Sequence, residues 1–184
     1  MKTAIVTGAT GGIGRAVVAA MVNAEYEVKP IPHTWSDKAD ILICCHAAPP
    51  KSSLDSVLAI DVSDTFSMIL ESADHMSKNK FGRIVLFSSI RAHRPLPSQV
   101  NYAIAKGAIE SMARGFAVAY GQYGITVNCI APGAVDTPRT RANIAAGIVL
   151  ESELIQRTPN GRLATVDDIC NIVLWLVSDG AAHV

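Results

Sequence analysis

A chain of 184 residues, 49% hydrophobic and 17% charged, can bury one sizeable core and is short for two independent domains, so a single domain over residues 1–184 is expected. Sixteen Lys and Arg balance sixteen Asp and Glu, with no run of like charge, which argues against a dedicated nucleic-acid or anionic-membrane surface.

In chain order, residues 2–6 form a short apolar run that ends in Thr7-Gly8-Ala9-Thr10-Gly11-Gly12-Ile13-Gly14. Helical spacing follows at Ile13, Ala16, Val17, Ala20 and Met21, so the reading is strand, glycine loop, helix. Tyr26 to Ile31 reads as a second strand, in which Pro30 and Pro32 point to a sheet edge or strand end because proline donates no ladder hydrogen bond. Asp40 to Cys45 is a buried third strand. Apolar positions Leu54, Val57, Leu58, Val62, Thr65, Phe66, Ile69, Ala73 and Met76 predict one long amphipathic helix over 54–76, against a rival strand over Leu58 to Val62. Arg83 to Phe87 is a fourth strand ending at Ser88-Ser89. A helix follows from about Gln99 to Tyr120, then a fifth strand from Ile125 to Ile130 closed by Pro132-Gly133. The last helix opens with the capping-box pattern Thr165-Val166-Asp167-Asp168 and is expected to bury Ile169, Ile172, Val173, Leu176 and Val177. Alternating strands and helices predict an α/β, mostly parallel sheet with helices on both faces and ligands at the carboxyl ends of the strands.

The N-terminus Met1 to Gly8 lacks the long apolar stretch of a secretion signal, and no uninterrupted apolar run is long enough to span a bilayer. Cys44, Cys45, Cys129 and Cys170 make no Cys-x-x-Cys pair, and adjacent Cys44 and Cys45 are poorly placed to bond each other. Reduced thiols in a cytoplasmic protein are the expectation.

Two motifs carry chemistry. Glycines at positions 8, 11, 12 and 14, between a strand and a helix, allow backbone N–H groups and the positive helix end to face a pyrophosphate. Tyr102-Ala103-Ile104-Ala105-Lys106 puts a phenol and an ammonium on one helix face, where the cation favours phenolate. As an isolated pair, a plain surface Tyr–Lys contact would be the better explanation. A serine at Ser89 could by itself cap a turn, but that does not explain its register with Tyr102.

Together these residues resemble the short-chain dehydrogenase/reductases over nearly the whole chain. Thr7-Gly8-x-x-x-Gly12-x-Gly14 is similar to the family's nucleotide loop, Ser89, Tyr102 and Lys106 to its serine and Tyr-x-x-x-Lys, and Asn128-x-x-x-Pro132-Gly133-x-x-x-Thr137 to its nicotinamide-side segment. Pro159-x-Gly161-Arg162 with Asp167-Asp168-Ile169 looks most like the 3-oxoacyl-carrier-protein-reductase branch. The resemblance implies a Rossmann-like doubly wound sheet and NAD(P)-dependent interconversion of a carbonyl and a secondary alcohol. By it, Tyr102 is the general acid/base, Lys106 lowers its pKa and holds the ribose, and Ser89 bonds the substrate oxygen. Thr7, Gly8, Thr10, Gly12, Ile13, Gly14, Arg15, Ala47, Tyr102, Lys106, Pro132, Gly133, Val135 and Thr137 are the implied cofactor-binding set. No metal is implied.

Departures from the family pattern qualify that set. Cys45-His46-Ala47-Ala48 stands where the family has Asn-Asn-Ala-Gly, and His46 reads as a strand-end packing residue. Asp61 aligns with the family's catalytic asparagine, as a water-holding relay beside Lys106 or a direct partner of it; it is included as a catalytic position. The piece between the second strand and Asp40 has no room for the family's helix and outer strand, and the sequence ends at Ala181-Ala182-His183-Val184 before its final strand, leaving about five strands in the order 2-1-3-4-5.

Ile31-Pro32-His33-Thr34 offers no acid to a ribose, and Arg15 is set to meet a 2′-phosphate, so NADP is preferred to NAD. A catalytically weak dinucleotide-binding sensor or scaffold is the alternative, and flavin mononucleotide binding a weaker third. Arg139 to Thr158 carries no substrate signature, although Arg139, Arg141 and Arg157 could attract an anion. A homodimer through the long helix and the Tyr-Lys helix is implied by the resemblance. The Ile125 to Ile130 edge is expected to be covered by residues 140–160 or a neighbouring chain.

Overall fold

The computed structural model describes residues 1–31 and 38–184. Five parallel strands form one sheet in the order β2-β1-β3-β4-β5: β1 (Thr3–Thr7), β2 (Glu27–Ile31), β3 (Ile41–Cys44), β4 (Gly82–Phe87) and β5 (Ile125–Ile130). All four pairings are parallel, so every connection is a crossover, and those that follow β1, β3 and β4 carry helices to the two faces.

The strands read as apolar runs because both of their faces are covered. Along β1, β3 and β4 successive side chains alternate sides: Ile5, Leu42, Ile84 and Leu86 join Met68, Ile69, Met76, Ile109 and Phe116 in one core. Val6, Ile41, Ile43, Val85 and Phe87 join Val17, Met21, Val173, Leu176 and Val177 in the other. The first core lies under α3 (Asp64–Asn79) and α4 (Val100–Tyr120), the second under α1 (Gly12–Asn23) and α7 (Val166–Val177). Pro30 faces Val6 on the paired side of β2, whose other side has no strand among the described residues, the edge position that proline requires. Pro32, His33 and Thr34 lie outside the described residues.

The predicted single helix over 54–76 is a correction in detail. Helix α2 (Leu54–Val57) passes through a π-helical turn, Leu58–Ser63, into α3, which runs on to Asn79. The rival strand over Leu58 to Val62 does not form. The Asp64 N–H donates to the Ala59 carbonyl, five residues back, instead of the Ile60 carbonyl four back. Not every predicted core position is buried: Phe66 is 47% and Ile172 44% exposed, each falling at the margin of its helix's apolar stripe. The capping box of α7 forms as expected, with the Thr165 hydroxyl accepting from the Asp168 N–H and Asp168 accepting from the Thr165 N–H.

Between β5 and α7 lie two short helices, α5 (Pro138–Ala145) and α6 (Glu151–Gln156), with no buried residue in either. They do not form the cover expected over β5. Instead the Asn128 side-chain amide donates to the Val184 carbonyl at 2.9 Å. No helix of the described residues is long and apolar enough to cross a membrane.

Candidate functional site

A cleft of about 910 Å³ opens at the carboxyl ends of the strands. Its floor begins with the turn after β1. Gly8 has φ +64°, and a Cβ there would lie 2.6 Å from the His46 backbone nitrogen; a Cβ on Gly14 would run into the Gly8 carbonyl. Only glycine lets this loop fold back on itself and on the end of β3. No side chain caps α1, which starts beyond Gly11, so the N–H groups of its first turn are left for the cleft. Opposite, Thr137 caps α5 by accepting from the Thr140 N–H, and its Cβ stands 3.1 Å from where a Gly12 Cβ would be.

Helix α4 presents Tyr102 and Lys106 to the same cleft, one turn apart, and the end of β4 presents Ser89. Lys106 is 4% exposed. Its ammonium donates to the Phe87 carbonyl at 3.1 Å, stands 3.3 Å from Asp61 Oδ2, and lies 5.5 Å from the centre of the Tyr102 ring. Ser89 Oγ accepts from the Arg91 N–H at 3.2 Å, capping the turn that follows β4, and its own O–H remains for the cleft. Ser88, buried next to it, sits 2.7 Å from Glu110 Oε1 and 3.0 Å from the Lys106 carbonyl, which ties β4 to the middle of α4.

Behind this surface lies a polar chain. The Thr7 hydroxyl accepts from the Cys45 and His46 N–H groups, so its one proton goes to His46 Nδ1 at 2.6 Å. That leaves Nε2–H to donate to the Ile60 carbonyl at 3.0 Å, the carbonyl that the π-turn has released. The same turn swings Asp61 inward to 1% exposure, where Oδ1 accepts from the Ala48 N–H. Oδ2 makes the ion pair with Lys106 without an aligned hydrogen bond. Burial lowers the pKa of His46 and pushes the Cys44 thiol up to about 12 and Cys129 to about 11, so these groups stay neutral near neutral pH. The four cysteines are unpaired.

Of the residues singled out in the sequence, Gly8, Thr10, Gly12, Ile13, Gly14, Arg15, Ala47, Ser89, Tyr102, Lys106, Pro132, Gly133, Val135 and Thr137 all line the cleft. Two do not. Thr7 is fully buried and supports the loop from behind, and Asp61 lines a closed pocket beneath the cleft with His46 and Lys106. Asp61 contacts Lys106 directly, as one of the two sequence readings had it. His46 does more than pack, since it links β1, the π-turn and, through Thr65 at 3.1 Å, α3. Arg139 lines the cleft, while Arg141 is held by Asp136 and Glu151 at 2.6 and 2.7 Å. Sequence reasoning missed Ser88 and Glu110, whose polar pairing across 22 residues leaves no local pattern.

A doubly wound parallel sheet, with a glycine loop and a serine, tyrosine and lysine around one cleft, defines an α/β protein of the dinucleotide-binding class. The chain belongs to the short-chain dehydrogenase/reductase family of oxidoreductases: a family model described as Enoyl-(Acyl carrier protein) reductase matches residues 31–184. It is 26% identical to a 3-oxoacyl-[acyl-carrier-protein] reductase of Rickettsia felis, over all of this chain and 92% of that protein. It is 30% identical to a protein of Xanthobacter autotrophicus named inactive 2-(S)-hydroxypropyl-CoM dehydrogenase 2, over 92% of this chain and 75% of that one. The match to the (2S)-[(R)-hydroxy(phenyl)methyl]succinyl-CoA dehydrogenase subunit BbsD of Thauera aromatica, at 35% identity, spans about half of that protein, at 51%, and 71% of this chain. A solved 3-oxoacyl-[acyl-carrier protein] reductase from Brucella melitensis superposes with a TM-score of 0.87 at 24% identity, covering all of this chain and 87% of that one. ElxO, solved with NADP bound, superposes at 0.88 and 20% identity, over all of this chain and 94% of that one.

Proposed function

We propose that the protein is an NAD(P)-dependent oxidoreductase that interconverts a carbonyl and a secondary alcohol, with Tyr102 as the general acid/base. The observation that carries this reading is that Ser89, Tyr102 and Lys106 open onto the same cleft as the glycine loop. The residues fit a dinucleotide. A glycine cradle that a Cβ would fill, an uncapped helix start and the exposed Arg15 beside it suit a pyrophosphate and a ribose phosphate. Thr10, Gly12, Ile13 and Arg15 would hold the phosphate side, Ala47 the adenosine side, and Pro132, Gly133, Val135 and Thr137 the nicotinamide side. When bound, the nicotinamide supplies or accepts the hydride.

The chain's own residues do the rest. Ser89 donates its free O–H to the carbonyl oxygen and fixes it in reach of the Tyr102 hydroxyl. Tyr102 gives its proton to that oxygen in reduction and takes it back in oxidation. Lys106 donates to the Phe87 carbonyl and is paired with Asp61 behind it, so its charge stands beside the phenol as the proton moves. Arg15 favours NADP over NAD through its guanidinium. The names of the relatives suggest 3-oxoacyl thioesters as the first carbonyls to try.

Turnover of NADPH with such thioesters and a broad carbonyl panel tests the reading. Tyr102→Phe is expected to lower turnover at least about a hundredfold with cofactor affinity nearly unchanged, whereas Lys106→Ala weakens both. A Tyr102→Phe protein of undiminished activity would overturn the assignment. The second reading, a weak or inactive dinucleotide binder, is favoured by one observation, the carboxylate of Asp61 set directly against Lys106. It is distinguished by tight cofactor binding without turnover of any carbonyl tested.

A further inference from the structure

A carboxylate sunk to 1% exposure beside an ammonium at 4% is an unusual arrangement behind a proton-transfer site. Asp61 does not reach the cleft, and it makes no aligned hydrogen bond through Oδ2, so it acts on the cleft only through its charge and its hold on Lys106. Three independent supports keep it there. The π-turn rotates it inward, the Ala48 N–H binds Oδ1, and His46 fastens the turn by its Ile60 carbonyl.

We propose that Asp61 is a positioning residue that sets the working pH of the site: its carboxylate cancels part of the Lys106 field at the Tyr102 hydroxyl and so moves phenol ionisation to higher pH than lysine alone would. The physical reason is the low polarizability of this pocket. Two opposite charges 3.3 Å apart in a water-poor interior look, from the phenol, more like a dipole than like a free cation. The inference rests on the reading of Tyr102 as the group that moves the proton.

The other charged and titratable groups around the pair do not duplicate this role. Cys44 on β3 and His46 just beyond it are held neutral by burial. Cys45, at the end of β3, is likewise kept as the thiol by burial. On α4, Glu110 lies one turn beyond Lys106 and is engaged by Ser88 and His93. Asp64 begins α3 and is half-exposed, and Arg15 and Arg139 stand across the cleft in solvent, where their fields are screened. Asp61 is the one carboxylate that is both buried and in contact with the ammonium among the described residues.

The test is Asp61→Asn, which keeps the shape and the oxygen facing Ala48. Phenolate absorbance is titrated in wild type and variant, each minus its own Tyr102→Phe counterpart; the other three tyrosines then cancel, leaving Tyr102 alone. The expected result is a midpoint at lower pH by about one unit in the asparagine protein, with the pH profile of turnover moving the same way. An unchanged midpoint overturns the proposal. Because the titration needs no turnover, it is separable from the catalytic reading: loss of that reading shows as turnover that ignores Tyr102→Phe. If Asp61→Asn does not fold, Asp61→Ser, which also removes the charge and leaves Lys106 in place, decides instead by the same criterion: a lower midpoint supports the proposal and an unchanged one overturns it.

Discussion

Gly8 and His46 meet across the end of the sheet, and each constrains the other. The left-handed φ of Gly8 brings its Cα against the backbone of His46, a conformation and a distance that a methyl group cannot share. Gly8→Ala is expected to cost about 1–3 kcal/mol through backbone strain alone, seen as a melting temperature lower by about 2–4 °C for each kcal/mol, with loss of nucleotide binding. His46 makes a pH prediction. Burial holds its folded-state pKa below the ordinary 6.5, so between those two values the unfolded chain binds the proton and the folded one does not. Stability is therefore complete above about pH 6.5 and falls as the pH drops below it, by no more than about 1.4 kcal/mol per unit from this group. Urea unfolding from pH 7.5 to 5 checks the slope, and His46→Asn, which retains a donor and an acceptor, flattens it. A wild-type slope that survives the substitution would assign the effect to other groups.

At the scale of elements, what was legible in the sequence was what local pattern encodes. Apolar runs mark all five strands, and the glycine loop and the Tyr-x-x-x-Lys spacing mark residues that line the cleft. The π-turn was not legible. The buried set Asp61, Thr65, Met68, Ile69, Ser72, Ala73 and Met76 keeps a helical period, and the extra residue per turn is stabilised by His46, fourteen positions away from the carbonyl it captures. The Ser88–Glu110–His93 linkage escaped for the same reason, being tertiary and polar. Where stability is local, the prediction is local too. Thr165→Ala removes the hydroxyl half of the α7 capping box and should cost about 1 kcal/mol, roughly a 2–4 °C fall in melting temperature, with cofactor affinity unchanged. A larger fall would mean that the Arg162–Asp168 pair collapses with the cap.

For the whole molecule, one patch of exposed apolar surface lies where α3 and α4 pack side by side. Phe66 and Leu70 are 47% and 41% exposed on α3, and the Phe66 ring lies tilted at 5.3 Å from that of Phe116 on α4, which stacks in turn at 5.7 Å on Tyr120. A helix pair that leaves Phe66 and Leu70 in water presents an apolar surface that a two-fold arrangement would cover with the same residues from a second copy. The sheet edge at β5 argues for a different contact. Past β5 the sheet has no further strand among the described residues, and the Asn128–Val184 hydrogen bond lies at one position along that edge. The two surfaces lie on different elements, so they can be separated by mutation. Light scattering of the wild-type chain at micromolar concentration is expected to give twice the chain mass. Phe66→Glu should bring it to the monomer mass, since a buried unpaired carboxylate at the centre of the helix contact costs more than that contact returns. Asn128→Lys on β5, whose side-chain amide is exposed beside Val184, should leave the dimer intact. If the β5 variant dissociates the protein and the Phe66 variant does not, the edge strand is the interface and the α3–α4 face is free for another partner.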